Sequence, residues 1–205
     1  MNNLFAPGRI WDGQTAVVVA GGPSVSLEQV RRIGIARCHD RCRVIAVSDA
    51  IYPCWFSDLL LSSDAKWWDK HRGVPTFKGQ KVSRNCLGRY DVDYLRETGA
   101  EGYDPTPGTI RHGSNSGHQA VHLAAQLGAS RIIIVGMDFS DDGARDHWFG
   151  RHVGNMDMHS DVVEWRRKFR VLTDALAAEK VSVVNASPSS TIKWLPQTPL
   201  ETAFA

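Results

Sequence analysis

Hydrophobic and polar residues alternate along the chain in blocks that predict strands, polar turns and helices in regular succession. Short apolar runs bounded by polar residues predict buried strands at 15–20, 44–47, 59–64, 131–136 and 181–186. Continuous β-branched runs are typical of strands that are covered on both faces. Apolar positions at helical spacing lie between them, at 25–33, 117–127 and 161–180, and indicate amphipathic helices. This succession predicts an α/β fold built on a parallel sheet.

The stretch 113–139 contains the clearest succession of a loop, a helix, a tight turn and a buried strand. Ser114, Asn115 or Ser116 can cap a helix that starts near Gly117, and the free N–H groups there would face an anion or a ribose. Asp138 follows the strand, at the edge where ligands collect in open α/β sheets. An ordinary helix–strand unit with a solvated loop would show the same pattern.

A glycine turn follows the first predicted strand. Gly21 and Gly22 allow the backbone to turn sharply and to approach a ligand closely. Pro23 suits the first turn of a helix, and Ser24 offers a hydroxyl group. A nucleotide phosphate or sugar would fit such a turn. The turn matches neither the dinucleotide pattern G-x-G-x-x-G nor the Walker pattern, so a tight turn without a ligand is the alternative.

Polar residues also follow the other predicted strands. Ser48 and Asp49 follow the second strand, Asp64 ends the third, and Ser187 and Ser189 follow the last. Asp49 would contact a ribose or a base, or else cap a helix. Because parallel strands end at one edge of a sheet, these residues and the glycine turn together predict a nucleotide pocket.

The segment 66–110 is rich in glycine, proline, tyrosine and arginine. Loops of this length in compact domains are commonly functional, so the segment is predicted to form an insertion or lid across the strand ends. Arg84 and Arg89 would reach a phosphate or an acidic acceptor from it, or remain solvated. Residues 1–14 lack periodicity and are predicted to form a surface arm.

Composition and charge limit the fold and the partners. With 205 residues, 42% of them hydrophobic, the chain is long enough for a single α/β domain over 1–205 with a full core. A net charge of +2 and a pI near 8.4 neither require nor exclude nucleic acid. No apolar run approaches the roughly 20 residues of a membrane span, and the start lacks the apolar core of a secretory signal. A cytoplasmic protein is therefore expected.

The cysteines and histidines suggest different chemistry. Cys38 and Cys42 form a C-x3-C pair, but the second pair that a structural zinc site needs is absent, so free thiols and no metal site are expected. His147 and His152 flank an aromatic-glycine step. Because histidine titrates near neutral pH, either would serve as a general base, although each taken alone is as readily an ordinary loop residue.

Several short motifs occur in an order that resembles known families. They are VAGGPS at 19–24, SNSG at 114–117, IVGMDF at 134–139, HWFGRH at 147–152 and VNASPS at 184–189. Together they resemble the bacterial lipooligosaccharide sialyltransferases, which use CMP-activated sialic acid. They are also similar to the MptE-like group of hydroxymethylpterin diphosphokinases and motility accessory factor glycosyltransferases, and closer still to a group of tailed-phage and prophage proteins. The resemblance implies a Rossmann-like parallel sheet flanked by helices, with a lid-like insertion around 66–110.

The sialyltransferase resemblance also implies roles for particular residues. The family's catalytic base follows the glycine directly, whereas Arg151 stands at that place here, so His147 and His152 both remain candidates for the base that deprotonates the acceptor hydroxyl. The family has an asparagine between the glycines of its first turn, and this chain lacks that residue. The family also has an asparagine after its second strand, and this chain has Ser48 there. The nucleotide would be lined by Gly21, Gly22, Ser24, Asn115, Ser116 and Gly117.

These patterns lead to a main hypothesis and two alternatives. The main hypothesis is a glycosyltransferase with a nucleotide-sugar co-substrate and no resident cofactor, acting on a cell-surface glycan or on modified phage DNA. The first alternative is an MptE-like pyrophosphokinase, in which Asp49, Asp64 or Asp138 and the ATP phosphates would hold Mg²⁺. The second is a non-catalytic nucleotide-binding phage protein. The phage resemblance implies the cytoplasm of an infected bacterial host, and the sequence leaves the donor, the acceptor and homo-oligomerisation open.

Overall fold

A parallel β-sheet forms the centre of the protein. The computed structural model describes residues 2–85, 87–140 and 161–204. Its strands are β1 (Thr15–Val19), β2 (Arg43–Val47), β3 (Leu59–Leu61), β4 (Gln80–Ser83), β5 (Asp93–Tyr94), β6 (Arg96–Gly99), β7 (Thr109–Arg111), β8 (Arg131–Val135) and β9 (Ser182–Asn185). Within the described residues, the main sheet has seven strands in the order β5-β4-β3-β2-β1-β8-β9, and β6 pairs with β7 in a separate sheet.

Helices cover both faces of the main sheet. They are α1 (Leu27–Cys38), α2 (Ala65–Lys70), α3 (Ser116–Gln126), α4 (Val162–Ala178) and α5 (Leu200–Ala203), with a short 3-10 helix at Ser48–Ile51. The α/β fold class and the predicted strands and long helices are confirmed, with small differences at their ends. The free thiols are confirmed for the described cysteines, Cys38, Cys42 and Cys54.

Alternate residues of β1 show why this strand is central. Val18 faces a core layer that includes Leu123 of α3 and Phe169 of α4. Val17 faces the opposite layer, which includes Ile33 of α1. All of these side chains are fully buried, as the continuous apolar pattern predicts for a strand covered on both faces.

The start of the chain runs along the surface, as predicted, but two of its aromatic side chains are buried. Phe5 and Trp11 are 9% and 6% exposed, and both pack against the layer that contains α3 and α4. The Phe5 N–H donates to the carbonyl of Tyr94 at 2.8 Å, and the Trp11 N–H donates to that of Leu127 at 2.7 Å. A segment without periodicity can still bury isolated aromatic side chains, and the sequence pattern does not reveal this.

The segment 66–110 contributes strands to the main sheet as well as a separate element. β4 pairs with β3, and β5 pairs with β4, both in parallel. Only β6 and β7, which pair with each other, lie apart from the main sheet. Each of these strands has four residues or fewer, which is too short for an alternating pattern to distinguish a strand from a lid.

The strand order reverses between β1 and β8. The chain adds β2, β3, β4 and β5 on one side of β1, and then returns through α3 to place β8 on the other side. Loops after β1 and β8 therefore leave the sheet in opposite directions. Such a reversal opens a crevice at the carboxyl ends of the strands, and open α/β proteins bind their ligands there.

Candidate functional site

The glycine turn after β1 contacts the end of β8 directly. The Gly22 N–H donates to the Gly136 carbonyl at 2.8 Å, and the Ser24 N–H donates to Asp138 Oδ2 at 2.9 Å. A Cβ atom on residue 22 would collide with the Asp138 carboxylate and the Gly136 carbonyl. Only glycine allows this approach, so the turn and the carboxylate form one unit at the crevice.

The helix after this turn begins later than predicted. α1 begins at Leu27, and Ser26 is its N-cap in a capping box with Gln29. Pro23 therefore precedes the helix instead of starting it, and the Ser24 N–H is used by Asp138. The reciprocal Ser26–Gln29 hydrogen bonds satisfy N–H groups at the true helix start. Gly21, Gly22, Pro23 and Ser24 form a half-buried turn ahead of the helix.

Two polar atoms in this unit have no hydrogen-bond partner among the described residues. Asp138 is 3% exposed, and its Oδ1 atom is buried without a partner, as is the Oγ atom of Ser24. An unpaired buried carboxylate oxygen costs free energy, and its occurrence calls for an explanation such as a bound group. A ligand hydroxyl or amino group would satisfy Asp138 Oδ1.

The loop after β9 supports the same strand end. The Ser187 hydroxyl accepts from the Met137 N–H at 3.2 Å, and the Ser190 hydroxyl donates to the Met137 carbonyl at 2.8 Å. The Thr191 N–H donates to the Asp138 carbonyl at 2.8 Å. Ser189 is exposed. Ser187, Ser190 and Thr191 thus fix the backbone beside Asp138.

The start of α3 joins this region from another direction. Asn115 is the cap among the three predicted candidates, since its side-chain oxygen accepts from the N–H groups of Gly117 at 2.8 Å and His118 at 3.2 Å. The Ser116 hydroxyl lies 2.7 Å from that of Ser63 after β3. A Cβ on residue 117 would lie 3.1 Å from Met137 Cε. The start of α3 therefore lies between the ends of β3 and β8.

A positive charge reaches the α3 loop from α4. Lys168 Nζ donates to the Ser114 hydroxyl at 2.9 Å and lies 3.4 Å from Glu164 Oε1. The Lys168 side chain is only 12% exposed, whereas Ser114 is exposed. Lys168 lies in the basic run of α4 that the helical pattern assigns to solvent, and this contact was not predictable from the pattern.

Ser48, Asp49 and Asp64 are engaged in separate local contacts. The Ser48 hydroxyl donates to that of Ser62 at 3.0 Å. Asp49 accepts from Trp67 Nε1 at 3.1 Å. Asp64 is exposed and caps α2. The described part of the chain contains no group of three or more histidine, cysteine, aspartate or glutamate side chains placed to hold a metal ion.

The predicted catalytic histidines, His147 and His152, lie outside the described residues. Of the described histidines near the site, His112 accepts from the Ser114 N–H through Nδ1 at 3.0 Å, and its Nε2 atom lies 3.8 Å from Glu97. Burial lowers the pKa of His112. Both ring nitrogens of His112 are thus directed at protein groups, which favours a role in holding the loop.

An apolar surface groove lies elsewhere on the protein. Among the described residues, a groove of about 440 Å³ runs between α1 and the turn at 53–56, with Leu27, Val30 and Trp55 in its lining. It contains none of the predicted site residues. Asp138 Oδ1, which has no hydrogen-bond partner among the described residues, offers an acceptor to a polar ligand that this apolar groove does not.

No helix in the described ranges has both the length and the apolar character needed to cross a bilayer.

Comparison with known proteins gives a likeness at the level of fold. No protein-family model matches the chain, and no curated protein matches it in sequence. The chain is similar in structure to a MAf glycosyltransferase from Magnetospirillum magneticum AMB-1, with a TM-score of 0.67 and 14% sequence identity. The match covers 98% of this chain and 36% of the other, so this chain spans about a third of that protein's length.

Proposed function

We propose that this protein is a glycosyltransferase that binds a nucleotide-sugar at the crevice between β1 and β8. The observation that carries the proposal is the buried Asp138 Oδ1 atom, which has no partner in the part of the chain that the structure describes and lies at the strand end that the Gly22 turn contacts. A ribose hydroxyl or a base amino group would donate to this oxygen. The likeness in fold to a glycosyltransferase supports sugar transfer over other uses of a nucleotide.

The reaction would be a direct displacement at the anomeric carbon of the sugar. The acceptor oxygen forms a bond to that carbon, and the bond from the carbon to the phosphate oxygen breaks. A general base, His147 or His152, takes the proton of the acceptor hydroxyl. The Lys168 ammonium group would stabilise the charge on the departing phosphate.

The resemblance to sialyltransferases makes CMP-activated sialic acid the first donor to test. The phage resemblance suggests two acceptors, a surface glycan and modified phage DNA. The salt dependence of acceptor binding distinguishes them. Binding to the DNA phosphate backbone weakens with added salt, whereas binding to a neutral or weakly charged glycan does not. Magnesium-dependent pyrophosphate transfer stays an alternative prediction.

Nucleotide binding is tested by thermal unfolding of the full chain with CMP-, UDP- and GDP-sugars, ATP and free nucleotides. A ligand at about 100 times its dissociation constant stabilises a protein by about 2.7 kcal/mol, which is about 5 to 11 °C for a protein of this size. Gly22→Ala would abolish this shift, because the new methyl group displaces Asp138. Gly34→Ala in α1, where a Cβ meets only the Phe56 ring at 3.3 Å, is the matched control and should retain the shift.

Catalysis is tested with the ligand that stabilises the protein most. Replacing both His147 and His152 by alanine should abolish sugar transfer and preserve the thermal shift, because the base acts on the acceptor and not on the nucleotide. Full transfer by the double variant would refute the proposed mechanism. Loss of activity on addition of EDTA would favour pyrophosphate transfer, and tight binding without any turnover would favour the non-catalytic alternative.

A further inference from the structure

A tyrosine, a histidine and an aspartate form a connected array at the end of β2, apart from the glycine turn. The Tyr52 hydroxyl is hydrogen-bonded to His71 Nδ1. His71 Nε2 lies 3.5 Å from Asp49 Oδ1, and Asp49 Oδ2 accepts from Trp67 Nε1 at 3.1 Å. Asp49 belongs to the 3-10 helix after β2, and His71 ends α2. Two segments distant in sequence therefore build the array.

The contacts favour one arrangement of protons in the array. The Asp49 carboxylate lies 3.5 Å from His71 Nε2 as a charge contact, and it favours the neutral tautomer that carries its proton on Nε2. His71 Nδ1 then carries a lone pair and accepts from the Tyr52 hydroxyl. The His71 ring also lies against the Trp67 ring, with centroids 4.5 Å apart and planes 32° apart. This stacking and the carboxylate together hold the imidazole in one orientation.

The exposure of the three side chains fits a reactive hydroxyl. The Asp49 and His71 side chains are 15% and 14% exposed, whereas Tyr52 is 52% exposed. The supporting groups are thus sheltered, whereas about half of the Tyr52 surface is open to solvent. Hydroxyl, imidazole and carboxylate in this order form the arrangement by which proteins activate a weak nucleophile through an adjacent base.

We propose that Tyr52 is a base-activated nucleophile that accepts a glycosyl group from a nucleotide-sugar, with His71 as its base and Asp49 as the residue that positions His71. The Tyr52 oxygen forms a bond to the anomeric carbon, and the bond from that carbon to the phosphate oxygen breaks. The phenol proton moves to His71 Nδ1, and the nucleotide leaves with its phosphate charge. The identity of the donor rests on the proposed function, whereas the activation of Tyr52 does not.

The ionisation of Tyr52 agrees with activation at the moment of attack. Burial, and then the charge of Asp49, raise the pKa of Tyr52. The phenol is therefore neutral at pH 7, and a base must remove its proton during the reaction, as for a serine hydroxyl beside a histidine.

Tyr90 provides an internal reference. Its hydroxyl donates directly to Asp69 Oδ1 at 2.9 Å, without a histidine between them. Asp69 also pairs with Arg89 at 2.8 Å. Tyr52 and Tyr90 therefore both lie near a carboxylate, and the difference in their reactivity reports the contribution of His71.

The test that needs no donor uses an aryl sulfonyl fluoride on the full chain, with the rate at each tyrosine followed by peptide mass spectrometry. The tyrosine oxygen bonds to sulfur, fluoride leaves, and the base takes the proton. A general base contributes about 10²–10⁴-fold, so Tyr52 should react at least about tenfold faster than Tyr90. His71→Ala should remove that advantage while the Tyr90 rate stays constant, which reports an intact fold.

Chemical rescue separates a base from a structural role. Added imidazole should restore Tyr52 labelling in His71→Ala. Asp49→Asn keeps an acceptor for Trp67 but loses the charge beside His71, so it should slow Tyr52 alone. Equal rates at Tyr52 and Tyr90 in the unaltered protein, or a Tyr52 rate that His71→Ala leaves unchanged, would overturn the proposal.

The donor is tested separately, with any nucleotide-sugar that stabilises the protein. Intact mass should rise by one glycosyl group, located on Tyr52 by peptide mapping and absent in Tyr52→Phe. A donor that stabilises the protein but leaves Tyr52 unmodified would overturn the acceptor role. If none of the donors stabilises the protein, the proposed function fails, and sulfonyl fluoride labelling still decides whether Tyr52 is activated.

Discussion

His118 and His122 are buried on α3 without the charge that histidine often carries. They are 1% and 0% exposed. Burial, as the first cause, lowers the pKa of His118 to about 3 and that of His122 to about 4. Neither nitrogen of His118 has a hydrogen-bond partner in the described part of the chain, and His122 Nε2 accepts only from the Asp104 N–H, at 3.0 Å. Both side chains are therefore neutral in the folded protein.

These histidines should make the protein sensitive to mild acid. Their folded pKa values lie below the ordinary value of 6.5, so the unfolded chain binds more protons below that pH. Stability is then complete above about pH 6.5 and falls as the pH decreases toward 4, by about 1.4 kcal/mol per pH unit for each histidine. At pH 5 the loss is roughly 2 kcal/mol per histidine.

Urea unfolding at pH 7.5, 6.5, 5.5 and 5.0 measures this effect. His118→Leu should remove about half of the loss between pH 6.5 and 5, because a leucine at that site cannot be protonated in the unfolded chain. His39→Ala, at an exposed position, should leave the pH dependence unchanged. A pH dependence that is the same in His118→Leu and the unaltered protein would contradict the assignment.

Capping residues determine where α3 and α4 begin. Asn115 accepts from two N–H groups at the start of α3, and the Asp161 side chain accepts from the Glu164 N–H at 2.9 Å at the start of α4. Each cap satisfies N–H groups that no carbonyl within the helix can reach. Asn115 is one of the predicted nucleotide-binding residues, whereas Asp161 is not.

The two caps should have equal effects on stability and different effects on binding. Asn115→Ala and Asp161→Ala should each cost about 1 kcal/mol, a decrease in Tm of about 2 to 4 °C. Only Asn115→Ala should also reduce the thermal shift produced by a nucleotide, because it loosens the start of α3, where Ser116 contacts Ser63 and Gly117 lies against Met137. Thermal unfolding with and without nucleotide measures both quantities. An equal reduction of the nucleotide shift in both variants would contradict the placement of the site.

Segments near both ends of the chain cover the edges of the main sheet. The Tyr94 N–H of β5 donates to the Asn3 carbonyl at 2.9 Å, and the Asn185 N–H of β9 donates to the Pro196 carbonyl at 2.9 Å. An uncovered strand edge presents unpaired N–H and C=O groups that promote pairing with other chains. Coverage at both edges therefore protects the sheet from edge-to-edge association.

Deletion of residues 2–6 should expose the β5 edge without unfolding the sheet. Hydrogen exchange at Tyr94 should become faster, since its N–H loses the Asn3 carbonyl, and β1 should keep its protection because β2 and β8 pair with it on both sides. Exchange measured by mass spectrometry and aggregation followed by light scattering test this. Unfolding of β1 upon deletion would show that the segment supports the whole core and not only the edge.

The local patterns of the chain were sufficient for the α/β class, most strands of the sheet and the long helices. These patterns lie within a few residues of each other in the sequence. Burial on both faces gives the continuous apolar run of β8, and burial of one face gives the helical spacing of α4. The polar residues after β1, β8 and β9 were also predictable as a group, because the carboxyl ends of parallel strands lie at one edge.

Only the tertiary structure decided how these residues are used. Three residues were equal candidates to cap α3, and the backbone geometry selects Asn115. Asp49 was predicted to contact a ribose or a base or to cap a helix, and the structure shows that it accepts from Trp67 and lies beside His71. Phe5 and Trp11 are buried in a segment without periodicity. These outcomes depend on contacts between residues far apart in sequence, and no pattern within a short window contains that information.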